Sequence, residues 1–112
     1  MHVDHVDQRR KNLRINIAWP VVVITPNGIL EGETQNLSLG GAGLRCSQVP
    51  ELDDSFRVVL KPSKRRILLA TAEIIWSDIC IDKTTSCAMG VRFTFMLDDD
   101  RQFISDAISS LS

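Results

Sequence analysis

A two-residue alternation of apolar and polar side chains, started and broken off six times, constrains this chain more than any other feature. Ile15, Ile17, Trp19, Val21 and Val23 fall on one parity, as the inward face of a pleated strand requires. Pro20 in that run suits an edge or a bulge, because proline brings no N–H to a ladder. Pro26-Asn27-Gly28 then marks a hairpin, since Asn and Gly accept the positive φ of a tight turn. A second strand is predicted from about Ile29 to Ser38, and Ala42, Leu44 and Cys46 alternate with Gly43 and Arg45 in a third. Val49-Pro50 with Asp53-Asp54 reads as a loop, and Phe56, Val58 and Leu60 make a fourth strand closed by the turn-like Lys61-Pro62-Ser63. Residues 67–76 form a fifth, with Ala70, Ala72, Ile74 and Trp76 on one face. After a polar loop near 77–86, Met89, Val91, Phe93 and Phe95 alternate with Gly90, Arg92 and Thr94 in a sixth.

Six short strands at this spacing predict an all-β sandwich or barrel. The period changes only at the end, where Phe103, Ile104, Ala107, Ile108 and Leu111 recur at helical spacing behind Asp98-Asp99-Asp100, acids suited to a helix N-terminus. One amphipathic helix is therefore expected to pack on the strands. A chain of 112 residues fits a single core, and its 44% apolar and 24% charged content is that of a globular domain. No internal repeat or low-complexity tract interrupts it.

Several function classes lose support at this point. No apolar stretch approaches the roughly 20 residues that span a bilayer, which argues against membrane insertion. The start Met1-His2-Val3-Asp4 lacks the basic-then-apolar pattern of a secretory signal, so a cytoplasmic location is expected. Cys46, Cys80 and Cys87 form no C-x-x-C pair and are read as small buried thiols rather than a disulfide framework or zinc site. A net charge of -1 speaks against bulk binding to DNA or RNA. Charge is nevertheless clustered: Arg9, Arg10, Lys11 and Arg14 stand together without an acid, and Lys61, Lys64, Arg65 and Arg66 make a second group. A small anion at a local patch suits this distribution better than a long polyanion. Nor is there a Ser-His-Asp or Cys-His set to place on ordered elements, since His2 and His5 sit near the terminus, so the chain is not read as an enzyme. Asp98-Asp100 could hold a divalent cation, but starting a helix is their simpler use.

Two segments carry recognisable binding chemistry. Arg9-Arg10-Lys11-Asn12-Leu13-Arg14 precedes the first strand, and an arginine fork makes bidentate hydrogen bonds to phosphate or to the O6/N7 edge of guanine. Read alone, it is also what a solvated basic tail looks like. In Asn36-Leu37-Ser38-Leu39-Gly40-Gly41, extended backbone puts Asn36 and Ser38 on one face and Leu37 and Leu39 on the other, while Gly40 and Gly41 permit a turn and a close approach. Alone, this is also an ordinary Asn-Ser-Gly turn.

Together the segments resemble the signature of the PilZ family, an R-x-x-x-R arm followed by [D/N]-x-S-x-x-G, filled here by Arg10 to Arg14 and by Asn36, Ser38 and Gly41. Gly41-Ala42-Gly43-Leu44, Ala72-Glu73-Ile74-Ile75-Trp76 and Gly90-Val91-Arg92-Phe93 extend the resemblance over nearly the whole chain, from about Gln8 to the C-terminal helix. It implies a six-stranded antiparallel β-barrel with a C-terminal α-helix that binds cyclic di-GMP on its outer surface, the nucleotide being a ligand and not a cofactor. By the same resemblance Arg10 and Arg14 grip phosphate and guanine, Asn36 and Ser38 hydrogen-bond the ligand, and Gly41 keeps the approach open. Arg9, before the motif, stands where the family's residue bears on whether one ligand or an intercalated pair is bound. Arg45 and Arg92, on outward parities, could border the site.

The chain then divides into a flexible arm, residues 1–14, and a barrel, residues 15–112, with its helix from about 98. Ligand is expected to order the arm and alter a surface read by an effector protein in motility, biofilm or virulence control. Two rivals remain: a small barrel binding single-stranded nucleic acid, against which stand an aromatic content of 5% and the absence of Tyr, and a PilZ adaptor acting without nucleotide, which would ordinarily lack motif residues. Partner and oligomeric state, a homodimer included, stay open.

Overall fold

The computed structural model describes residues 13–26, 28–47, 55–78 and 87–111. Six strands follow in order: β1 (Pro20–Thr25), β2 (Gly28–Leu37), β3 (Gly41–Cys46), β4 (Phe56–Ser63), β5 (Arg66–Ser77) and β6 (Cys87–Met96); α1 (Asp98–Leu111) ends the described chain. Every pairing is antiparallel, and the order β1-β2-β3-β6-β5-β4 closes into a barrel. The alternation therefore resolves into the expected barrel rather than a sandwich.

Inward positions of all six strands fill the interior. Val23, Leu37, Leu44, Val58, Leu60, Leu68 and Ala72 are 0% exposed, and Ile104 and Ile108 of α1 belong to the same core. The helix begins with three acids in its first turn, as the dipole favours. Asp100 also ties the helix to the barrel, accepting from Arg66 Nη2 at 3.1 Å and from the Leu69 N–H at 3.2 Å. The Arg66 guanidinium lies 4.9 Å from the Phe103 ring centre, and Phe103 packs at 6.0 Å on Trp19. No described helix is long and apolar enough to cross a membrane.

The structure corrects the sequence reading in four places. Continuous strand begins at Pro20, the strand's first residue, rather than at Ile15; the preceding segment touches β2 only at an isolated Ile15–Leu37 bridge and around Thr34. There the Thr34 hydroxyl stands in for ladder bonds, accepting from the Trp19 N–H and donating to the Ile17 carbonyl. Lys61-Pro62-Ser63 closes nothing: it belongs to β4, and the turn lies at Lys64-Arg65. Trp76 and Phe95 are 45% and 60% exposed instead of inward, because β5 and β6 slip register between Thr71 and Ala72 and again between Ile74 and Trp76. One extra residue in a strand sends every later side chain to the opposite face, so Met96 is buried where Phe95 was expected. Finally, the cysteines are not all free thiols. Cys87 is disulfide-bonded, which the lack of a C-x-x-C pair does not prevent, while Cys80 lies outside the described residues. Cys46 is a free, buried thiol whose pKa desolvation pushes up.

Candidate ligand-binding cleft

On the outer wall of β2, β3, β6 and β5 the strand registers lay down two neighbouring rows of residues. The first reads Asn36–Gly43–Gly90–Trp76 across the four strands. Two glycines thus stand side by side, and the flanking side chains lean over them. The Asn36 Oδ1 accepts from the Gly43 N–H at 3.0 Å, and a Cβ at Gly43 would lie 2.8 Å from Asn36 Nδ2. A Cβ at Gly90 would lie only 2.1 Å from the Trp76 indole Nε1, so glycine is what lets the indole settle on β6. Both Asn36 and Trp76 follow a register shift, and it is this slip that turns them outward.

The second row contains Ser38, Gly41, Arg92 and Glu73. Gly41 pairs with Arg92 and Arg92 with Glu73, while the Ser38 N–H and Oγ both donate to the Gly41 carbonyl, at 2.9 and 3.2 Å. Those bonds close the hairpin between β2 and β3 over Leu39 and Gly40. Arg14 joins this row from the chain before β1. Reciprocal bonds of 3.0 and 2.9 Å between Ile15 and Leu37 fix the segment to the end of β2, which sets Arg14 beside Ser38. Buried Thr34 strengthens the tether: its hydroxyl accepts from the Trp19 N–H at 2.8 Å and donates to the Ile17 carbonyl.

The rows flank an open cleft bordered by Arg14, Asn36, Ser38, Gly41, Trp76 and Arg92 among others. Of the six residues expected to bind ligand, four meet here: Arg14, Asn36, Ser38 and Gly41. Arg9 and Arg10 lie outside the described residues. Arg45, exposed and paired in register with Glu33, does not line the cleft. Gly41 has a packing reason of its own, since a Cβ there would sit 2.1 Å from the Val91 carbonyl oxygen of β6. Neither Gly40 nor Gly41 has a positive φ; among the described residues that conformation occurs at Gly28. Sequence reasoning missed Trp76 and Ile75 as cleft residues, having placed Trp76 inside. The available signal was Gly90, a glycine in mid-strand, which marks a close approach by another group.

Chemically, the cleft offers two guanidinium groups, Arg14 and Arg92, an amide, a hydroxyl and one exposed indole edge. Among the described residues no carboxylate lines it, and they contain no group of three side chains suited to a metal ion. Such a set suits an anionic ligand with a flat ring.

A closed six-stranded barrel with one C-terminal helix and an open cleft on its outer wall defines a small β-barrel domain. The chain belongs to the PilZ domain family, which matches residues 8–110. Among solved structures it is similar to the Bacillus subtilis inhibitor of motility MotI/DgrA, with a TM-score of 0.72 and 14% identity over 88% of this chain and 48% of that one. The chain thus spans about half the length of the Bacillus protein. It is also similar to the PilZ domain of YcgR from Escherichia coli with c-di-GMP, with a TM-score of 0.66 and 20% identity over 88% and 87% of the two chains. The PilZ domain of CeSA from a cellulose-synthesizing bacterium gives 0.60 and 23% over 88% and 96%. No curated protein matches the sequence.

Proposed function

We propose that this protein is a cyclic di-GMP receptor, a binding domain rather than an enzyme, whose ligand sits in the cleft between the two rows. The observation that carries the reading is the convergence of Arg14 with the Asn36, Ser38 and Gly41 of a segment distant from it in sequence, on one surface that also holds Trp76 and Arg92. In this reading Arg14 binds phosphate or the guanine edge, Asn36 and Ser38 hydrogen-bond the nucleotide, and the Trp76 indole supplies an apolar face for a purine. Arg9 and Arg10 come onto the ligand from the N-terminal side. Ligand thereby orders the arm of residues 1–14 against the barrel, and the altered surface is read by an effector protein in motility, biofilm or virulence control. The solved E. coli relative with c-di-GMP and the Bacillus inhibitor of motility support this direction. A single-strand nucleic-acid barrel needs successive stacking aromatics, whereas Trp76 is the one aromatic lining the cleft among the described residues.

Titration calorimetry with cyclic di-GMP and cyclic di-AMP tests the proposal. Arginine forks match the guanine O6/N7 edge, where adenine presents a donor, and one such bidentate pair discriminates by ~1–3 kcal/mol. Cyclic di-GMP is therefore expected to bind at least about fivefold more tightly. Equal affinities would reduce the site to a generic phosphate sink.

A further inference from the structure

Arg92 occupies a singular place in the second row. Its register neighbours are Gly41 of β3 on one side and Glu73 of β5 on the other. The glycine side offers no partner, and the guanidinium turns the other way: its Nη2 donates to Glu73 Oε1 in the one ion pair made by a cleft cation among the described residues. The Arg92 side chain is 61% exposed and that of Glu73 34% exposed, so the pair sits at the rim and not in the interior. A carboxylate there claims a guanidinium that borders the cleft, and lends negative charge to the approach of any anion.

Resting on the cyclic-dinucleotide reading, we propose that Glu73 is a built-in competitor for Arg92, and that an anionic ligand must take Arg92 from Glu73 to bind at full strength. Glu73 thus sets the affinity of the site without touching the ligand. The exchange is feasible because an exposed pair is weak. Pairs of this kind contribute a factor of at most about five in an equilibrium constant. A phosphate or guanine edge that engages the fork through two N–H groups outbids a single-contact carboxylate. A purely structural cross-strand pair would have none of these consequences for ligand.

Four proteins decide the matter: wild type, Glu73→Gln, Arg92→Gln and the double variant, each titrated with cyclic di-GMP by calorimetry and each melted to confirm the fold. Glu73→Gln is expected to tighten binding about two- to fivefold. Arg92→Gln is expected to weaken it about tenfold, as loss of a charge-assisted bond does. The double variant should match Arg92→Gln alone, because the gain works through Arg92. An affinity in Glu73→Gln equal to or weaker than wild type overturns the proposal. So does a gain of the same size in the Arg92→Gln background, which would show only the removal of a nearby negative charge. A second arm separates this inference from the receptor reading. With sodium phosphate as the probe, the Arg92 Nε–H resonance in nitrogen-15 spectra is expected to reach half its shift at about two- to fivefold lower phosphate in Glu73→Gln than in wild type. If cyclic di-GMP gives no heat with any of the four proteins, the receptor reading fails, and an unchanged phosphate midpoint would then sink the competitor as well.

Discussion

The outer wall of this barrel has two sides that differ in kind. Where β1 pairs with β2 and with β4 the ladders run without a slip, and the outward positions mix aliphatic and charged side chains: Val22 pairs with Val59 and Glu31, and Ile24, 39% exposed, with Arg57 and with Ile29, 62% exposed. Across β2, β3, β6 and β5 the ladders slip in three places, and the outward surface is glycine, amide, hydroxyl, guanidinium and indole. Both sides rest on the same interior of Leu, Val and Met. A regular ladder gives a plain convex wall. A ladder with bulges re-aims single side chains and, where glycines stand beside them, leaves room for a cleft. The site is therefore a local modification of the sheet, made without altering the core that supports it.

If that contrast is right, interior and cleft should respond to substitution differently. The largest effect belongs to the interior beneath the cleft. Leu44 is 0% exposed, and Leu44→Ala should cost ~2–5 kcal/mol of stability in a urea melt, weakening binding only through the loss of folded protein. Gly41 comes next. Its Cβ would strike the Val91 carbonyl, so Gly41→Ala should cost ~1–3 kcal/mol in the absence of any nucleotide. Unchanged stability there would show that Gly41 serves ligand access alone. Arg14 is exposed, and Arg14→Ala should leave the melt where it is while weakening cyclic di-GMP binding by ~1.5–3 kcal/mol, the range for a hydrogen bond to a charged group. Ser38→Ala should be the mildest, with ~0.5–1.5 kcal/mol lost from binding. Its backbone N–H keeps the Gly41 carbonyl paired, so the hairpin survives. Wild-type affinity in both of these variants would remove them from the site.

How much of this could be read from the chain follows from the same contrast. The interior was legible, because buried strand positions impose a two-residue period on side-chain type, and Val21, Val23, Leu44, Val58, Leu60, Met89 and Val91 keep it. Strands β2 to β6 accordingly begin or end within a few residues of the reading. Where the ladder slips, the period misleads. A bulge adds one residue with no compositional mark, so the period puts Trp76 and Phe95 inward, and it carries β1 back to Ile15 past the point where Thr34 takes over the bonds. Arg14, Asn36 and Ser38 were legible through the resemblance to a known signature and not through their geometry. The tether that brings Arg14 to Ser38, formed by Ile15, Leu37, Trp19 and Thr34, is a tertiary contact that sequence order does not reveal.

The central claim, that nucleotide binds the bulged side of the wall, is tested most directly by following proton–nitrogen resonances while cyclic di-GMP is added. The Trp76 indole N–H and the amides of Ser38, Gly43 and Gly90 should move together along one saturable isotherm, while those of Val22, Ile24 and Val59 stay in place. Saturable shifts confined to Val22, Ile24 and Val59, or a cleft unmoved at saturating nucleotide, would contradict the account.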